Sequence, residues 1–291
     1  MSVVPVGSKA SYPHGSALGR SAADTPARLR LVAYNFLGGG SAKRAGQWSR
    51  VVRALGADVV FGQECRPPDA CPCERFRVGA GDALAWTAAR PPRWGTGLLV
   101  RGARLRAISV PDFDGWVVGG EVTGDGWPAR RLLAFSVHGP AGERGYVKTM
   151  HEILDRLVRL RRGADLVLGG DFNVVTGYRD ARDPRTMSRG ERELLDRMGA
   201  ELDLLPAWQT ANPGRRLAQT LRWVTNPATP YHCDGVFIPR AADGPALVSC
   251  GARAPVRRAQ QSQPRGRRGL APLKLRRAHR SDGGAGSIAF R

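Results

Sequence analysis

The sequence predicts an α/β protein in which strands and helices form a layered sandwich. Short apolar runs of strand length alternate along the chain with segments whose apolar residues recur every three or four positions, as on one face of a helix. The sequence shows no internal repeat. The chain has 291 residues, of which 42% are hydrophobic, so a sizeable core is expected. Interleaved strands and helices of this kind are typical of a single α/β domain.

Periodicity identifies the helices, and short apolar runs identify the strands. The clearest helix is 146–160, whose apolar residues share one face. A second helix, 188–198, starts with Ser188 and Glu191 at the spacing of a capping box. A third helix is predicted at 45–55. Strands are predicted at 29–36, 57–64, 95–100, 105–110, 115–122, 130–140, 164–171, 221–224, 233–238 and 246–250.

Composition divides the chain into three parts. Residues 1–28, rich in Ser, Ala, Gly and Pro, are expected to form a disordered leader, and residues 29–250 to form the folded domain. Residues 251–291 are expected to be basic and largely flexible, with a final strand at 281–290. No signal-peptide core and no apolar run of about eighteen residues occurs, so we expect a cytoplasmic protein without a transmembrane helix.

The charge and the cysteines narrow the function classes. The net charge is +20, and 41 of the 45 basic residues are arginine. A basic chain favours polyanionic partners, although a biased coding composition would give the same excess of basic residues.

The five cysteines are an odd number, which argues against a disulfide framework. Cys71 and Cys73, with Cys65 nearby, could hold a soft metal, but their spacing favours free thiols.

The stretch "LVLGGDFNVV" at 166–175 carries the first candidate site residues. A buried strand ends in two glycines, and Asp171 and Asn173 follow on either side of Phe172. Residues two apart in an extended chain point to the same face, so both side chains could address a hard cation or a phosphate oxygen. Taken alone, the same residues also suit an Asx turn.

Other predicted strands begin or end in similar side chains. These are Asn35, Glu64, His138 and Asp234, and Ser281 with Asp282 comes near the end of the chain. Each one singly also has an ordinary explanation, as a turn residue, a loop acid or a hydrogen-bonded histidine. Their order along the chain is what points to a shared site.

In that order, the motifs resemble the endonuclease/exonuclease/phosphatase superfamily, whose members have the deoxyribonuclease I-like fold. The resemblance runs from about residue 30 to residue 240. It implies a four-layer sandwich, with two mainly antiparallel or mixed β-sheets face to face and helices on the outside. The matching segments are "YNF" at 34–36, "FGQE" at 61–64, "WGTGLLV" at 94–100, "SVH" at 136–138, "GGDFN" at 169–173, "YHCDGVFI" at 231–238 and "SD" at 281–282.

The resemblance also implies an activity, which is Mg²⁺-dependent phosphoester hydrolysis, with Mn²⁺ as the alternative metal. The substrate would be a phosphoester such as nucleic acid, and the protein would be a monomer. Glu64, Asn35 and Asp282 would form the metal site, in which Asn35 would position the carboxylate or the phosphate. The catalytic residues would be Asp171, which orients or deprotonates the attacking water, Asn173, which donates to a phosphate oxygen, His138, which binds the phosphate or moves a proton, and Asp234.

One departure from the family pattern bears on activity. The family ends with Ser-Asp-His, and the acid that matches Asp234 pairs with that histidine, but this chain has Ser281, Asp282 and then Gly283. Glycine has no side chain to carry a proton. Two alternatives to a nuclease-like phosphodiesterase therefore stay open. The first is a catalytically impaired member that binds polyanions, and the second is a sphingomyelinase-like enzyme or a small-molecule phosphatase.

Overall fold

A computed structural model of the chain describes residues 28–38, 46–72, 74–89, 94–125, 127, 131–177, 187–215, 217, 220 and 232–240, together with three further short strands. The strands, in chain order, are β1 Val4–Pro5, β2 Arg28–Leu29, β3 Leu31–Asn35, β4 Val59–Cys65, β5 Ala83–Ala88, β6 Gly95–Val100, β7 Arg104–Ile108, β8 Val117–Thr123, β9 Leu132–His138, β10 Asp165–Asp171, β11 Leu204–Pro206, β12 Asp234–Pro239, β13 Val248–Ala252 and β14 Gly286–Phe290.

Two six-stranded sheets lie face to face. The first sheet has the order β13-β14-β3-β4-β6-β5, and the second has the order β11-β12-β10-β9-β8-β7. Each sheet has one parallel pair near its centre, β3 with β4 and β9 with β10. The other pairs within the two sheets are antiparallel. β1 and β2 form a separate two-stranded pair.

Helices cover the outer faces of both sheets. Against the second sheet lie α2, Tyr146–Arg161, and α3, Arg189–Leu202. Against the first sheet lies a short helix, α1, Gln47–Ser49, which continues as the π-helix Arg50–Ala54. A 3₁₀ turn spans Pro68–Ala70, and α4 spans Ala207–Ala211. No helix in the described part of the chain is long and apolar enough to cross a membrane.

Three buried clusters hold these layers together. The inter-sheet core lies between the sheets and includes Phe61, Leu98 and Val167. The first outer core joins the first sheet to α1 through residues such as Trp48, and the second outer core joins the second sheet to α2 and α3 through residues such as Ile153. Helix, sheet, sheet and helix are thus stacked in that order, which confirms the predicted four-layer sandwich.

Most of the predicted elements are present, with shifted ends. The capping box of Ser188 and Glu191 is formed, and α3 continues to Leu202, four residues beyond its predicted end. The helix predicted at 45–55 is shorter and partly π-helical. Strand β5 was not predicted. The strand predicted at 221–224 lies outside the described residues, as does most of the segment 1–28.

A buried carboxylate accounts for the start of α1. The first backbone N–H groups of a helix have no partner within it and need an outside acceptor. Glu74 Oε2 accepts from the N–H of Trp48 at 2.8 Å, and Oε1 accepts from the N–H of Ser49 at 3.1 Å. Burial alone would raise the pKa of Glu74, but hydrogen bonds from Ser49, Phe76 and Trp48 outweigh it and lower that pKa. Glu74 is therefore a helix-capping residue and lies apart from the candidate site.

The two glycines of "LVLGGD" are explained by close packing on both sides of β10. A Cβ atom on Gly169 would lie 2.3 Å from the ring of Phe61, which belongs to the facing sheet. A Cβ atom on Gly170 would lie 1.8 Å from the backbone oxygen of Val137 in the neighbouring strand. Both distances are too short for a carbon contact. Gly169 therefore lets the two sheets approach each other directly beneath Asp171, and Gly170 lets β10 lie close to β9 within the second sheet.

We expect Gly169→Ala to destabilise the protein. The added methyl group would have to displace the fully buried Phe61, and overpacking of this kind costs about 1–3 kcal/mol. At roughly 2–4 °C per kcal/mol, the melting temperature should fall measurably in a thermal unfolding experiment. Gly199→Ala is the matched control, because Gly199 lies within α3 with its nearest neighbour atom at 3.8 Å. That change should stabilise the protein by about 0.5–1 kcal/mol. Equal effects at the two positions would refute the packing argument.

Candidate functional site

The candidate residues lie at one edge of the sandwich because of strand direction. In the first sheet, Asn35 is the last residue of β3 and Glu64 lies near the end of β4, which is parallel to it. In the second sheet, His138 and Asp171 are paired in register at the ends of the parallel strands β9 and β10. Asp234 begins the antiparallel strand β12 and is paired in register with Asp171.

The side-chain amide of Asn35 links the two sheets at this edge. Its nitrogen donates to Glu64 Oε1 at 3.2 Å, within the first sheet, and to Asp171 Oδ2 at 3.0 Å, in the second sheet. Its oxygen accepts from the N–H of Leu37 at 2.8 Å, which fixes the orientation of the amide. Asn35 therefore holds two carboxylates next to each other. This geometry supports its predicted positioning role, and direct contact with a metal stays a prediction.

Glu64 is turned towards this edge by an irregularity in β4. Gly62 pairs with Gly97 and Cys65 pairs with Gly95, so β4 has one more residue than β6 over this stretch. Glu64 lies in the bulge, with a φ of 49°. Positive φ is uncommon for a residue with a side chain, and bulges are frequent beside active sites. The side chain of Glu64 is 26% exposed, so its carboxylate remains accessible from solvent.

Asp171 and Asn173 form the turn that the sequence allowed, and that turn lies within the site. Asp171 Oδ1 accepts from the backbone N–H of Asn173 at 3.1 Å, and Asn173 has a φ of 52°. Asn173 Nδ2 donates to the backbone oxygen of Gly139 at 2.9 Å. Burial raises the pKa of Asp171, and the hydrogen bonds from Asn35 and Asn173 reduce this effect. The two interpretations of this stretch, an Asx turn and a site, are therefore compatible.

His138 is buried against two tryptophan rings that also contact each other. Its ring centroid lies 5.1 Å from that of Trp94 and 5.2 Å from that of Trp116. Its Nε2 lies 3.9 Å from Glu64 Oε1, and its buried Nδ1 has no hydrogen-bond partner among the residues that the structure describes. Burial lowers the pKa of His138 to about 4, although Glu64 acts in the opposite direction. Burial therefore favours the neutral form of the His138 imidazole.

Asp234 is buried beside Asp171. It is 4% exposed, and the hydroxyl of Thr220 is its hydrogen-bond partner. Burial, together with the negative charge of Asp171, raises the pKa of Asp234 well above its ordinary value. In the family pattern, the acid that matches Asp234 pairs with a histidine, and this chain has Gly283 at the position of that histidine. No cation contributes to its pKa among the residues that the structure describes.

The donors at this edge fit a magnesium ion held mainly by water and substrate. Mg²⁺ commonly takes only one or two protein carboxylates and completes its shell with water and phosphate oxygens. Glu64 offers one accessible carboxylate, and Asp171 lies on the other side of the shared Asn35 amide. Within the described ranges, no three His, Cys, Asp or Glu side chains form a metal-binding group. This donor set therefore suits Mg²⁺ better than a metal that requires a full protein cage.

Several predicted residues lie outside the described part of the chain. Asp282 and the neighbouring Gly283 are among them. Strand β14 runs antiparallel to β3, so its first residue, Gly286, lies at the same edge as Asn35. Cys65 and Cys71 are free, and burial raises the pKa of both thiols, as expected for unreactive cysteines. Cys73, the third cysteine of the metal alternative, is also outside the described residues.

Two features of the site were missed in the sequence. Gln63 Nε2 donates to Ser136 Oγ at 3.0 Å, which is a buried hydrogen bond between the two sheets. Gln63 immediately precedes the site residue Glu64, and Ser136 lies two positions before the site residue His138. Trp94 lies in the matching segment "WGTGLLV" and Trp116 in the strand predicted at 115–122, but the sequence assigned no role to either side chain. Polar residues inside otherwise apolar strands were the available signal for Gln63 and Ser136.

This geometry can be compared with known proteins. The model of the endonuclease/exonuclease/phosphatase family matches residues 32–246, most of the chain. The chain belongs to this family. Its members are generally hydrolases that act on phosphoesters, and they commonly use divalent metal ions. Among curated protein sequences, none matches the chain at a significant level.

Solved structures agree with the family assignment at the level of the fold. An AP endonuclease from Leishmania major has a TM-score of 0.56 and 12% identity, over 90% of this chain and 87% of that one. An AP endonuclease from Archaeoglobus fulgidus has a TM-score of 0.52 and 14% identity, over 90% and 98%. The endonuclease domain of TRAS1, a telomere-specific non-LTR retrotransposon, has a TM-score of 0.52 and 14% identity, over 90% and 97%.

We expect Asp234→Asn to raise stability at neutral pH. The pKa of Asp234 is raised in the folded state, so the folded protein retains this proton to a higher pH than the unfolded chain does. The stability that this proton contributes to the folded protein is lost as the pH rises through the pKa that Asp234 has in the folded state. A neutral amide avoids that loss. The gain should be about 1 kcal/mol or more at pH 7–8, and it should vanish below the ordinary pKa of a carboxyl group.

The measurement is thermal unfolding of wild type and Asp234→Asn between pH 4 and pH 8, with a chelator present so that no metal contributes. The exposed Asp125 provides the matched control, because Asp125→Asn should leave the melting temperature nearly unchanged. A lower melting temperature for Asp234→Asn at pH 7 would show that the ionised carboxylate is stabilised in the fold, and the argument from burial would be wrong.

Proposed function

We propose that this protein is a Mg²⁺-dependent phosphodiesterase of the nuclease type, with Mn²⁺ as an alternative metal. The observation that carries the proposal is the bridge from the Asn35 amide to Glu64 and Asp171. It brings a candidate metal-binding carboxylate and a candidate base, from opposite sheets, to one accessible edge. Two further groups, His138 and Asn173, flank them. A metal ligand, a base and groups that contact the phosphate are what a water molecule needs in order to attack a phosphoester.

Asp171 is the group best suited to activate water. A general base works best when its pKa approaches the working pH, and burial moves the pKa of Asp171 in that direction. The hydrogen bonds from the Asn35 amide and the Asn173 N–H fix the position of both carboxylate oxygens. Each oxygen keeps a second lone pair for the water. Asp171 would therefore orient the water and take its proton.

Neutral hydrogen-bond donors would stabilise the charge that develops on the phosphate. Asn173 Nδ2 uses one of its two hydrogens for Gly139, and the other remains available for a phosphate oxygen. His138, whose neutral form burial favours, offers a single N–H to the same group. The lowered pKa favours phosphate binding by His138 over its other sequence-based role, proton shuttling near neutral pH. Preorganised donors of this kind account for a large share of the rate enhancement in many enzymes.

Glu64 would hold the metal, with the Asn35 amide keeping its carboxylate in place. When bound, Mg²⁺ supplies Lewis-acid stabilisation of the phosphoryl and leaving oxygens. Asp282 remains a proposed further ligand.

Charge favours a polyanionic substrate, which is why nucleic acid comes first among phosphodiesters. The chain carries a net charge of +20. Basic proteins bind nucleic acid largely through phosphate contacts and release of counterions. Sphingomyelin and small phosphate esters are the other substrates to include. A catalytically impaired, polyanion-binding member is the second candidate function, and Gly283, where the family has histidine, is the feature that favours it.

We expect Asp171→Asn to lower the turnover number by about 10²–10⁴-fold, the range for loss of a general base. The assay is Mg²⁺-dependent hydrolysis of single-stranded and duplex DNA, RNA, sphingomyelin vesicles and a phosphate monoester. Asp165→Asn is the matched control. Asp165 is the first residue of β10, at the opposite end of the strand from Asp171, and should tolerate the change.

Full activity in Asp171→Asn would remove Asp171 from the mechanism. If wild type binds nucleic acid but hydrolyses none of the substrates, the impaired-member alternative is correct instead.

Glu64→Gln should weaken both metal binding and activity, because an uncharged amide is a poorer ligand for Mg²⁺. Metal affinity should fall by at least about 10–100-fold, the range already seen when residues that only support a ligand are changed. The first readout is the rise in melting temperature on adding Mg²⁺, which wild type should show and Glu64→Gln should lose. The second is the metal dependence of hydrolysis.

Glu143→Gln, in an exposed loop, is the control and should behave as wild type. An unchanged metal titration for Glu64→Gln would mean that the ligand is another residue.

A further inference from the structure

Trp94 lies beside the candidate phosphate-binding residue and directly before β6. Its ring centroid is 5.3 Å from that of Trp116, in an edge-to-face arrangement at 83°, and 5.1 Å from that of His138. His138 Nε2 is in turn 3.9 Å from Glu64 Oε1. The indole is therefore one side chain away from the position proposed for the phosphate.

Trp94 differs from the other described tryptophans in how it is packed. Each of the others belongs to, or packs against, one of the three buried clusters, whereas Trp94 packs against none of them. Its ring contacts are with Trp116 and His138, and it remains partly exposed. A large apolar side chain that contributes to no core within the described part of the chain is more simply explained by a ligand that covers it. The other tryptophans are Trp48, Trp86, Trp116, Trp127 and Trp208.

The backbone around the two indoles is held by hydrogen bonds. The carbonyl oxygen of Trp94 accepts from the N–H of Ala89 at 2.9 Å. The carbonyl oxygen of Trp116 accepts from the N–H of His138 at 2.8 Å, and the hydroxyl of Thr96 donates to Gly115 at 2.8 Å. Trp116 also packs against the second outer core. Trp116 thus supports Trp94 from a fixed position, so the exposed part of the Trp94 ring is preorganised.

We infer that Trp94 is a stacking surface for the nucleobase next to the scissile phosphate, and that the substrate is single-stranded or locally unpaired nucleic acid. The inference rests on the proposed phosphodiesterase function, which places the phosphate at His138. The group attached to that phosphate then reaches the neighbouring indole. In nucleic acid this group carries a base with a flat π-face, which stacks well on tryptophan. Bases in an intact duplex are already stacked on each other and are not available. The net charge of +20 suits the same partner.

The test compares two DNA strands of about 12 nucleotides that share one backbone. The first is oligothymidine, and the second carries abasic tetrahydrofuran residues in place of most thymidines. Binding is followed by fluorescence polarisation in the Asp171→Asn background, and hydrolysis is followed in the active protein. A duplex and sphingomyelin vesicles are added as further substrates. The variants are Trp94→Ala, Trp94→Phe and, as the matched control, Trp127→Ala. Trp127 is a partly exposed tryptophan that packs against the inter-sheet core, away from the site.

Trp94→Ala should weaken binding and hydrolysis of oligothymidine by about 5- to 100-fold, the range for loss of one base–aromatic stack. The abasic strand should be nearly unaffected by the same change. Trp94→Phe should recover most of the loss, because a phenyl ring still stacks. Trp127→Ala should lower the melting temperature, because Trp127 packs against the inter-sheet core, and should leave the preference for oligothymidine over the abasic strand unchanged. Circular dichroism confirms that each variant is folded.

Equal losses on the two strands would overturn the inference and reduce Trp94 to a packing partner of His138. A wild type that prefers vesicles, duplex or the abasic strand would also overturn it. The proposed function fails separately. If wild type hydrolyses no substrate but binds oligothymidine in a Trp94-dependent way, the stacking surface stands and the phosphodiesterase does not.

Discussion

The site depends on one amide group. Asn35 supplies one nitrogen to carboxylates from both sheets, Glu64 and Asp171, so the distance between those carboxylates is set by the distance between the sheets. That distance is fixed just below the site. The Gln63–Ser136 hydrogen bond joins the sheets, and the absence of a Cβ on Gly169 lets the ring of Phe61 come close. A small change in sheet packing would therefore separate the carboxylates and would act on chemistry without touching a site residue.

The same edge concentrates features that oppose folding. Glu64 and Asn173 adopt positive φ, which for residues with side chains costs on the order of 1–3 kcal/mol each. Asp234 lies buried beside Asp171, and the buried His138 Nδ1 lacks a partner among the described residues. The three buried clusters must supply the compensating stability. This distribution is expected when a rigid scaffold holds an unfavourable arrangement that serves a reaction.

The sequence predicted the features that depend on local pattern. The apolar face of 146–160 and the Ser188–Glu191 capping box gave α2 and the start of α3, because helix periodicity and capping are properties of neighbouring residues. The order of the motifs predicted which strand ends carry the site. Strand β5 was missed because alanine, common in 83–88, is a weak strand former. The bulge at Glu64 and the Gln63–Ser136 bond were also missed, since both depend on which strands lie opposite each other.

The surroundings that bury His138 and lower its pKa also determine the shape of the site around it. Two indoles contact the imidazole, so the surroundings that hold Trp94 next to the proposed phosphate position also favour the uncharged form of His138. An uncharged histidine cannot neutralise a phosphate. In the proposed mechanism, the positive charge would then come from a metal at Glu64 and from the arginines of the chain, while His138 would contribute direction through a single N–H. Aromatic cover of the histidine and a need for a metal ion would then be two consequences of the same arrangement.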